Sequence, residues 1–368
     1  MKIAFFYLGQ QGGGVALEAY EMAVGLSKRC PVLCVVSSKS DSYNIWTGEA
    51  KKNRNFSVIG IETSKSIVRA LLASFNLWKF YRIKNRIDKF GPTVIYSHMG
   101  HPFEKLIIPH LKCKLIFKGV HDARLHLGEA SLKARLINSL SSYRSTHYVV
   151  FSEFSKKILI ERGVKPELIV TTFLGCLKTL NHPTIADEHT YYRILFFGRM
   201  IEYKGIGVLF SALEKVIEVI PNIKMVMAGR GNLSKYSEVI SHYQNNLEIY
   251  NEWIKDDDIH NYFDDVDFIV APYIDASQSG VVVLSYSYGK PVIVSNSGGL
   301  PEQVKERETG IVISSGDSKA LSDAIIRMYA DEKRLQEMKK QSLNYSKQLS
   351  WEAAANVLYD GFVEKIVR

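Results

Sequence analysis

Arg199 and Lys204 lie in GRMIEYKG, residues 198–205, between an apolar run and a helical pattern. Two cations held at a strand end and a helix start can neutralise the charge that develops on a diphosphate leaving group. This is electrostatic catalysis and needs no metal. Taken by themselves, the two also read as surface cations. A second stretch has matching chemistry: YIDASQSGVVVLSYSYGKPVIVSNSGGLPE, residues 273–302. It reads as a polar loop, a short apolar helix, a buried strand and a glycine turn. Ser277, Gln278, Ser279 and Gly280 precede the apolar run Val281 to Leu284, and Ser and Gly before such a run open a helix. The first N–H groups of a helix lack intrahelical partners, and the dipole is positive there, so an anion fits. The stretch is a candidate cradle for the diphosphate of a nucleotide-sugar. It also reads as an ordinary loop–helix–strand unit of an α/β sheet, and alone it does not separate the two.

Two further polar groups stand in the first half. HDARLHLGE, residues 121–129, follows the strand pattern Lys114 to Val120 and starts with His121-Asp122. Carboxyl ends of strands are where open α/β sheets bind ligands. His121 is therefore a candidate contact to a transferred sugar, and otherwise a histidine bonded within its loop. Gly12-Gly13-Gly14 follows the strand Lys2 to Leu8 and precedes a helical pattern. It is not GxGxxG, so the dinucleotide fingerprint is missing. Glycine there permits close approach of a phosphate or sugar, or simply a tight strand-to-helix turn.

The elements that must position these residues alternate along the chain. Apolar runs at Pro31–Ser37, Phe56–Ile61, Thr93–Ser97, His147–Phe151 and Leu168–Phe173 predict further strands in the first half. Residues 39–56 are polar and read as a loop. Ser66 to Phe90 predicts a long helix carrying Arg69, Lys79, Arg82, Lys84, Arg86 and Lys89, with Trp78, Phe80 and Tyr81 between them. That mixture suits an anionic membrane surface, and equally a surface helix whose apolar face packs on the sheet. Residues 131–147 predict another basic helix. Residues 177–192 are polar and aperiodic, with Pro183, and predict a linker. The pattern then restarts with strands at Tyr192–Phe197, Lys224–Ala228, Leu247–Tyr250, Val266–Ala271 and Val292–Val294. The acids of NEWIKDDDIHNYF, residues 251–263, suit a helix start without a metal. Residues 317–348 and Trp351–Val367 read as helices. Two such alternating sets imply two Rossmann-like domains facing a central cleft: residues 1–180 with the helix 351–368, and residues 191–348.

Composition bounds the function. The 368 residues suffice for two cores, and 46% hydrophobic with 23% charged is ordinary for a globular protein. The four cysteines show no metal-ligand spacing, and a reduced, cytoplasmic protein is expected. No signal peptide and no membrane span are expected. Residues 1–180 hold 27 Lys and Arg against 12 Asp and Glu, a balance of +15. The rest hold 20 against 26, or −6, which gives the +9 of the chain. An anionic surface or substrate on the first half is the implied partner, or else a solvated basic face. No recognised nucleic-acid motif accompanies the basic residues.

The glycine loop, GRMIEYKG, the NEWI segment and the 273–302 stretch, in this order, resemble retaining GT-B glycosyltransferases of glycosyltransferase family 4. HDARLHLGE is similar to a segment in a subset of them. The resemblance spans nearly the whole chain. It implies a GT-B fold with the last helix crossing back onto the N-terminal domain, and a nucleotide-sugar donor held mainly by the C-terminal domain. Arg199 and Lys204 match the pair on the donor diphosphate. Ser279, Gly280 and Val281 match its backbone donors, while Gly13 and Gly14 match the loop approaching from the other domain. Trp253 and Ile254 match the segment that reads the base, and His121 matches a histidine at the donor sugar. No metal or other cofactor is implied. The family's two glutamates are replaced by Ala276 and Leu284, as in a variant subset with SQSG-like sequences. Gln278 or backbone groups are the candidates for the first lost contact, and Ser285 for the second.

The expected activity is retaining transfer of a sugar to a glycan or polyprenyl-diphosphate-linked acceptor in bacterial surface polysaccharide synthesis. The expected place is the cytoplasm, peripheral at the inner face of the membrane, with no nucleic-acid partner. A nucleotide-sugar epimerase of the same fold, or a non-catalytic subunit supporting a partner transferase, are the alternatives.

Overall fold

A computed structural model describes residues 1–10, 12–63, 77–123, 145–176 and 192–367. The described residues divide into two compact units. One comprises residues 1–123, 145–175 and 351–367, and the other residue 176 with residues 192–350. The predicted linker falls outside the described residues except for Tyr192, as do the predicted helix 131–147, apart from its last three residues, and residues 66–76 of the long basic helix.

The first unit is a seven-stranded parallel sheet. Its strands are β1 (Ile3–Tyr7), β2 (Val32–Ser37), β3 (Phe56–Ile61), β4 (Val94–Met99), β5 (Ile116–Val120), β6 (His147–Val150) and β7 (Ile169–Thr171). The order is β3-β2-β1-β4-β5-β6-β7, and every pair is parallel. β1 and β2 are buried at every position, which is why they read as continuous apolar runs rather than alternating ones. The sheet order reverses direction at β1, so the ends of β1 and β4 flank the switch point where such sheets take ligands.

The C-terminal helix Trp351–Val367 packs on this sheet, as expected. Phe362 is fully buried, with its ring 4.4 Å from Phe117 and 5.6 Å from Tyr96. A Cβ at Gly25 would stand 2.6 Å from the Ala355 Cβ, so only glycine lets the helix Gly14–Ser27 come this close. Lys28 pairs with Glu352, and Arg29 lies 4.3 Å over the Tyr359 ring.

Residues 43–52 correct the loop expected there: Tyr43–Lys52 is a helix. Its one buried side chain is Trp46, fully enclosed among Phe5, Tyr7, Tyr20 and Phe56 at 5.5–6.2 Å between ring centroids. One large anchor in an otherwise polar decapeptide leaves no apolar stripe to detect, and tertiary packing supplies what periodicity lacks.

The second unit is a six-stranded parallel sheet. It comprises β8 (Arg193–Phe197), β9 (Lys224–Ala228), β10 (Leu247–Tyr250), β11 (Phe268–Ala271), β12 (Val292–Ser295) and β13 (Gly310–Ile313). The order is β10-β9-β8-β11-β12-β13. The edge strand β13 was not anticipated. The helical stretch 317–348 is two helices, Ser318–Ala330 and Glu332–Gln348. Asp331 breaks it by capping the second through Arg334 N–H.

Candidate functional site

In the second unit, β8 leads into Gly198, Arg199 and a 3₁₀ turn at Glu202–Lys204. Gly198 has φ 101° and Gly205 φ 77°, both in the left-handed region. A Cβ at Gly205 would lie 1.9 Å from the Pro272 carbonyl oxygen, so glycine is required where this turn packs under the loop before residue 273. The Arg199 guanidinium is exposed and donates to the Tyr203 hydroxyl at 2.8 Å. The Tyr203 carbonyl in turn accepts the Ile274 N–H at 2.7 Å, tying this turn to the next loop. Lys204 Nζ stands 4.9 Å from the centroid of the buried Tyr273 ring, a cation–π contact that aims it.

The helix Gly280–Ser287 opens beside it, with Ser279 as N-cap. Gly198 ties the two together. A Cβ there would stand 3.0 Å from Lys204 Nζ and 3.8 Å from a Val281 methyl. The ammonium and the helix head thus converge on one point, and the bare Gly198 makes room for both. The arrangement combines two cations with a helix N-terminus, and the charge of both complements an anion.

The backbone donors need one correction. The Ser279 N–H donates to Gln303 Oε1 at 2.8 Å, and Gln303 Nε2 donates back to the Ser279 carbonyl at 3.1 Å. Ser279 is therefore held by the protein, and Gly280 and Val281 are left at the head of the helix. Gln303, which the sequence does not single out, thus holds the loop at the head of this helix. Its signal was its place just after GGLPE, on the turn that returns to the loop. Ser285 cannot replace a lost ribose contact: its hydroxyl is buried and donates to the Val282 carbonyl at 2.6 Å. Ala276 and Ser277 are buried. The Gln278 side-chain oxygen is buried and accepts no hydrogen bond among the described residues, as a contact awaiting a ligand would be. Trp253 is 60% exposed, in the irregular segment after β10.

In the first unit, Tyr7, His98 and His121 come from the ends of β1, β4 and β5, adjacent strands of one sheet. Glu18 joins them from the helix Gly14–Ser27. His121 Nε2 donates to the His98 carbonyl at 3.1 Å, and its Nδ1 lies 3.9 Å from Glu18 Oε2. The two imidazoles are 4.7 Å apart, and His121 stacks on Phe151 at 4.5 Å. Burial, with Asp122 near by, pushes Glu18 up to about 7. Burial holds both His98 and His121 below the usual histidine range. Glu18 and His98 were not singled out in the sequence as site residues. Strand-end position could have found His98; nothing marked Glu18, one helical turn past the glycines. Of HDARLHLGE, His126, Gly128 and Glu129 lie outside the described residues.

Gly13 has φ 97° and caps the helix that follows, so it serves as a turn glycine. Gly14 is different: a Cβ there would meet nothing within 4 Å. On the helix Leu77–Phe90, Ile83 and Ile87 are buried, while Trp78 is 72% and Tyr81 62% exposed. Among the described residues, no helix is long and apolar enough to cross a membrane.

Residues 191–331 match the family model described as glycosyl transferases group 1. This chain is 25% identical over 283 residues to an uncharacterized glycosyltransferase of Methanocaldococcus jannaschii, covering 74% of this chain and 76% of that protein. It is 31% identical over 186 residues to the lipopolysaccharide 1,2-N-acetylglucosaminetransferase of Salmonella typhimurium, covering 46% of this chain and 47% of that one. Apart from the first of these, the chain matches about half or less of the length of its curated relatives. Among solved structures, Anabaena HepE in complex with UDP superposes with a TM-score of 0.73 at 15% identity, over 99% of this chain and 100% of HepE. Sucrose-phosphate synthase of Thermosynechococcus elongatus gives 0.72 at 17% identity, over 100% and 99%. These likenesses show the fold, two parallel-sheet Rossmann-like domains as in GT-B glycosyltransferases. Family model and relatives together support an enzyme, a glycosyltransferase of group 1 type.

Proposed function

We propose that this glycosyltransferase of group 1 type transfers a sugar, with retention, from a nucleotide-sugar to a glycan or lipid-linked acceptor in bacterial surface polysaccharide synthesis. The observation that carries the reading is the convergence at Gly198 of the Lys204 ammonium and the head of the helix Gly280–Ser287. Arg199 and Lys204 meet the diphosphate charge, and the Gly280 and Val281 N–H groups bind its oxygens. Since both cations are fixed before reaction, the leaving diphosphate is stabilised without reorganisation. Transfer then needs no metal. Gln278 replaces the absent glutamate at the sugar, and the Trp253–Ile254 segment holds the base. HepE is solved in complex with UDP-glucose, which places UDP-hexoses first among donors to test.

The acceptor belongs to the first unit. The exposed Trp78 and Tyr81, with Arg82 stacked 5.4 Å over Trp78 and Lys84, Arg86 and Lys89 on the same helix, support peripheral attachment to an anionic membrane face. A polyprenyl-diphosphate-linked acceptor would be met there. The family match and the relatives favour transfer over an epimerase or a non-catalytic subunit.

The test incubates the purified chain with labelled UDP-hexoses, with and without a lipid-linked acceptor. Sugar appearing on the acceptor with release of nucleotide is the expected result. Isomerised nucleotide-sugar with no nucleotide released would overturn the reading.

A further inference from the structure

Glu18, His98 and His121 each offer one ligand atom, and these atoms all lie within 4.8 Å of one another. The hydrogen bonds around them decide which atoms are available. A carbonyl oxygen only accepts, so the 3.1 Å contact to the His98 carbonyl fixes the proton of His121 on Nε2. The Nδ1 lone pair of a neutral imidazole then faces Glu18 at 3.9 Å. His98 is fully buried. Its Nδ1 is bonded to the Tyr96 hydroxyl at 3.1 Å, and its Nε2 has no hydrogen-bond partner among the described residues. Each ring thus has one nitrogen anchored by the protein and the other left over. This is the outer-shell pattern that orients metal-ligating histidines.

We propose that Glu18, His98 Nε2 and His121 Nδ1 bind a divalent transition cation of the zinc class. Two imidazoles and one carboxylate suit zinc or cobalt rather than magnesium or calcium. Bonds of about 2.0–2.2 Å would draw the ligand atoms together, chiefly by movement of the Glu18 side chain. The cation would also satisfy the buried His98 Nε2 and pair with the Glu18 carboxylate. Three protein ligands leave one tetrahedral position open. The transfer step does not depend on this cation, because Arg199 and Lys204 meet the diphosphate charge. The competing occupant is a proton on Glu18, donated to His121 Nδ1.

The test uses the full chain without an affinity tag, stripped with a chelator and dialysed. Cobalt binding is followed by visible absorption, and zinc binding by competition with a chromophoric chelator. The expected result is one equivalent bound. Glu18→Gln and His121→Gln, checked for folding by circular dichroism, each weaken binding by roughly ten- to a hundredfold. His110→Ala, outside the cluster, leaves it unchanged. Absence of stoichiometric binding by the unaltered chain overturns the proposal in favour of the proton. Binding that persists undiminished in both cluster variants overturns it as well.

Discussion

The two units share one order over six strands, to which the first adds β7, and they carry opposite chemistry at their strand ends. In the first, the ends of β1, β4 and β5 gather Tyr7, His98, His121 and Glu18, which burial drives toward their neutral forms. In the second, the segment after β8 and the loop after β11 gather Arg199, Lys204 and a helix head. Bulk charge runs the other way. The first half carries +15 and the second −6, yet Arg199 and Lys204 sit in the acidic half and the Glu18 carboxyl, raised by burial, in the basic one. The charge of a region therefore says which surface it prefers, whereas the charge at its strand ends says what chemistry it does. In the first unit the helix Leu77–Phe90 alone carries Lys79, Arg82, Lys84, Arg86 and Lys89.

The largest expected effects lie in the second unit. Arg199→Ala or Lys204→Ala should each cost about 2–4 kcal/mol in the transfer rate, with the melting temperature nearly unchanged. Rates measured with labelled donor at saturating acceptor check this; an unaltered rate would mean that the two are surface cations. In the first unit, replacing Arg82, Lys84, Arg86 and Lys89 together by Gln should weaken binding to anionic vesicles by roughly 1 kcal/mol per charge near the surface. The loss should fade as salt rises and leave transfer to a soluble acceptor intact. Lys84 will contribute least, since it pairs with Asp88 at 2.7 Å.

The next test sharpens the role of the helix head. Gln303→Leu removes both bonds to Ser279 and should raise the donor KM about tenfold, an effect of 1–2 kcal/mol, with a smaller change in kcat. A uniform loss of folded protein instead would make Gln303 merely structural. The smallest effect contrasts an exposed cation with a buried one. Lys290 is enclosed, donates to the Asp264 carbonyl at 3.0 Å, and burial lowers it to about 8. Its folded value lies below its unfolded one, so the unfolded chain binds more protons between them and stability rises with pH there. Relative to Lys290→Met, the unaltered chain should gain about 1 kcal/mol between pH 8 and pH 9. Denaturant melts at the two pH values measure it, and equal slopes would show that Lys290 is not strained by its burial.

Much of this was legible in the chain because parallel strands buried on both faces leave continuous apolar runs, and glycines punctuate the turns after them. Arg199, Lys204 and the 273–302 stretch could be located for that reason. Three features were not legible. Trp46 anchors a helix that has no periodic face. Gln303 acts across a turn, on a residue 24 positions earlier. Glu18 joins His98 and His121 only when β1, β4 and β5 lie side by side, a juxtaposition made by sheet order rather than spacing. Ser285, in contrast, was placed by its letter alone, and its helix turned it inward.

In the proposed function, Arg199, Lys204 and the head of the helix Gly280–Ser287 bind a diphosphate. Thermal melts with UDP, in the presence of a chelator, compare the unaltered chain with the Arg199→Ala/Lys204→Ala double variant. The expected result is a rise in melting temperature that grows with UDP concentration for the unaltered chain and is abolished in the double variant. An equal rise in both would contradict it.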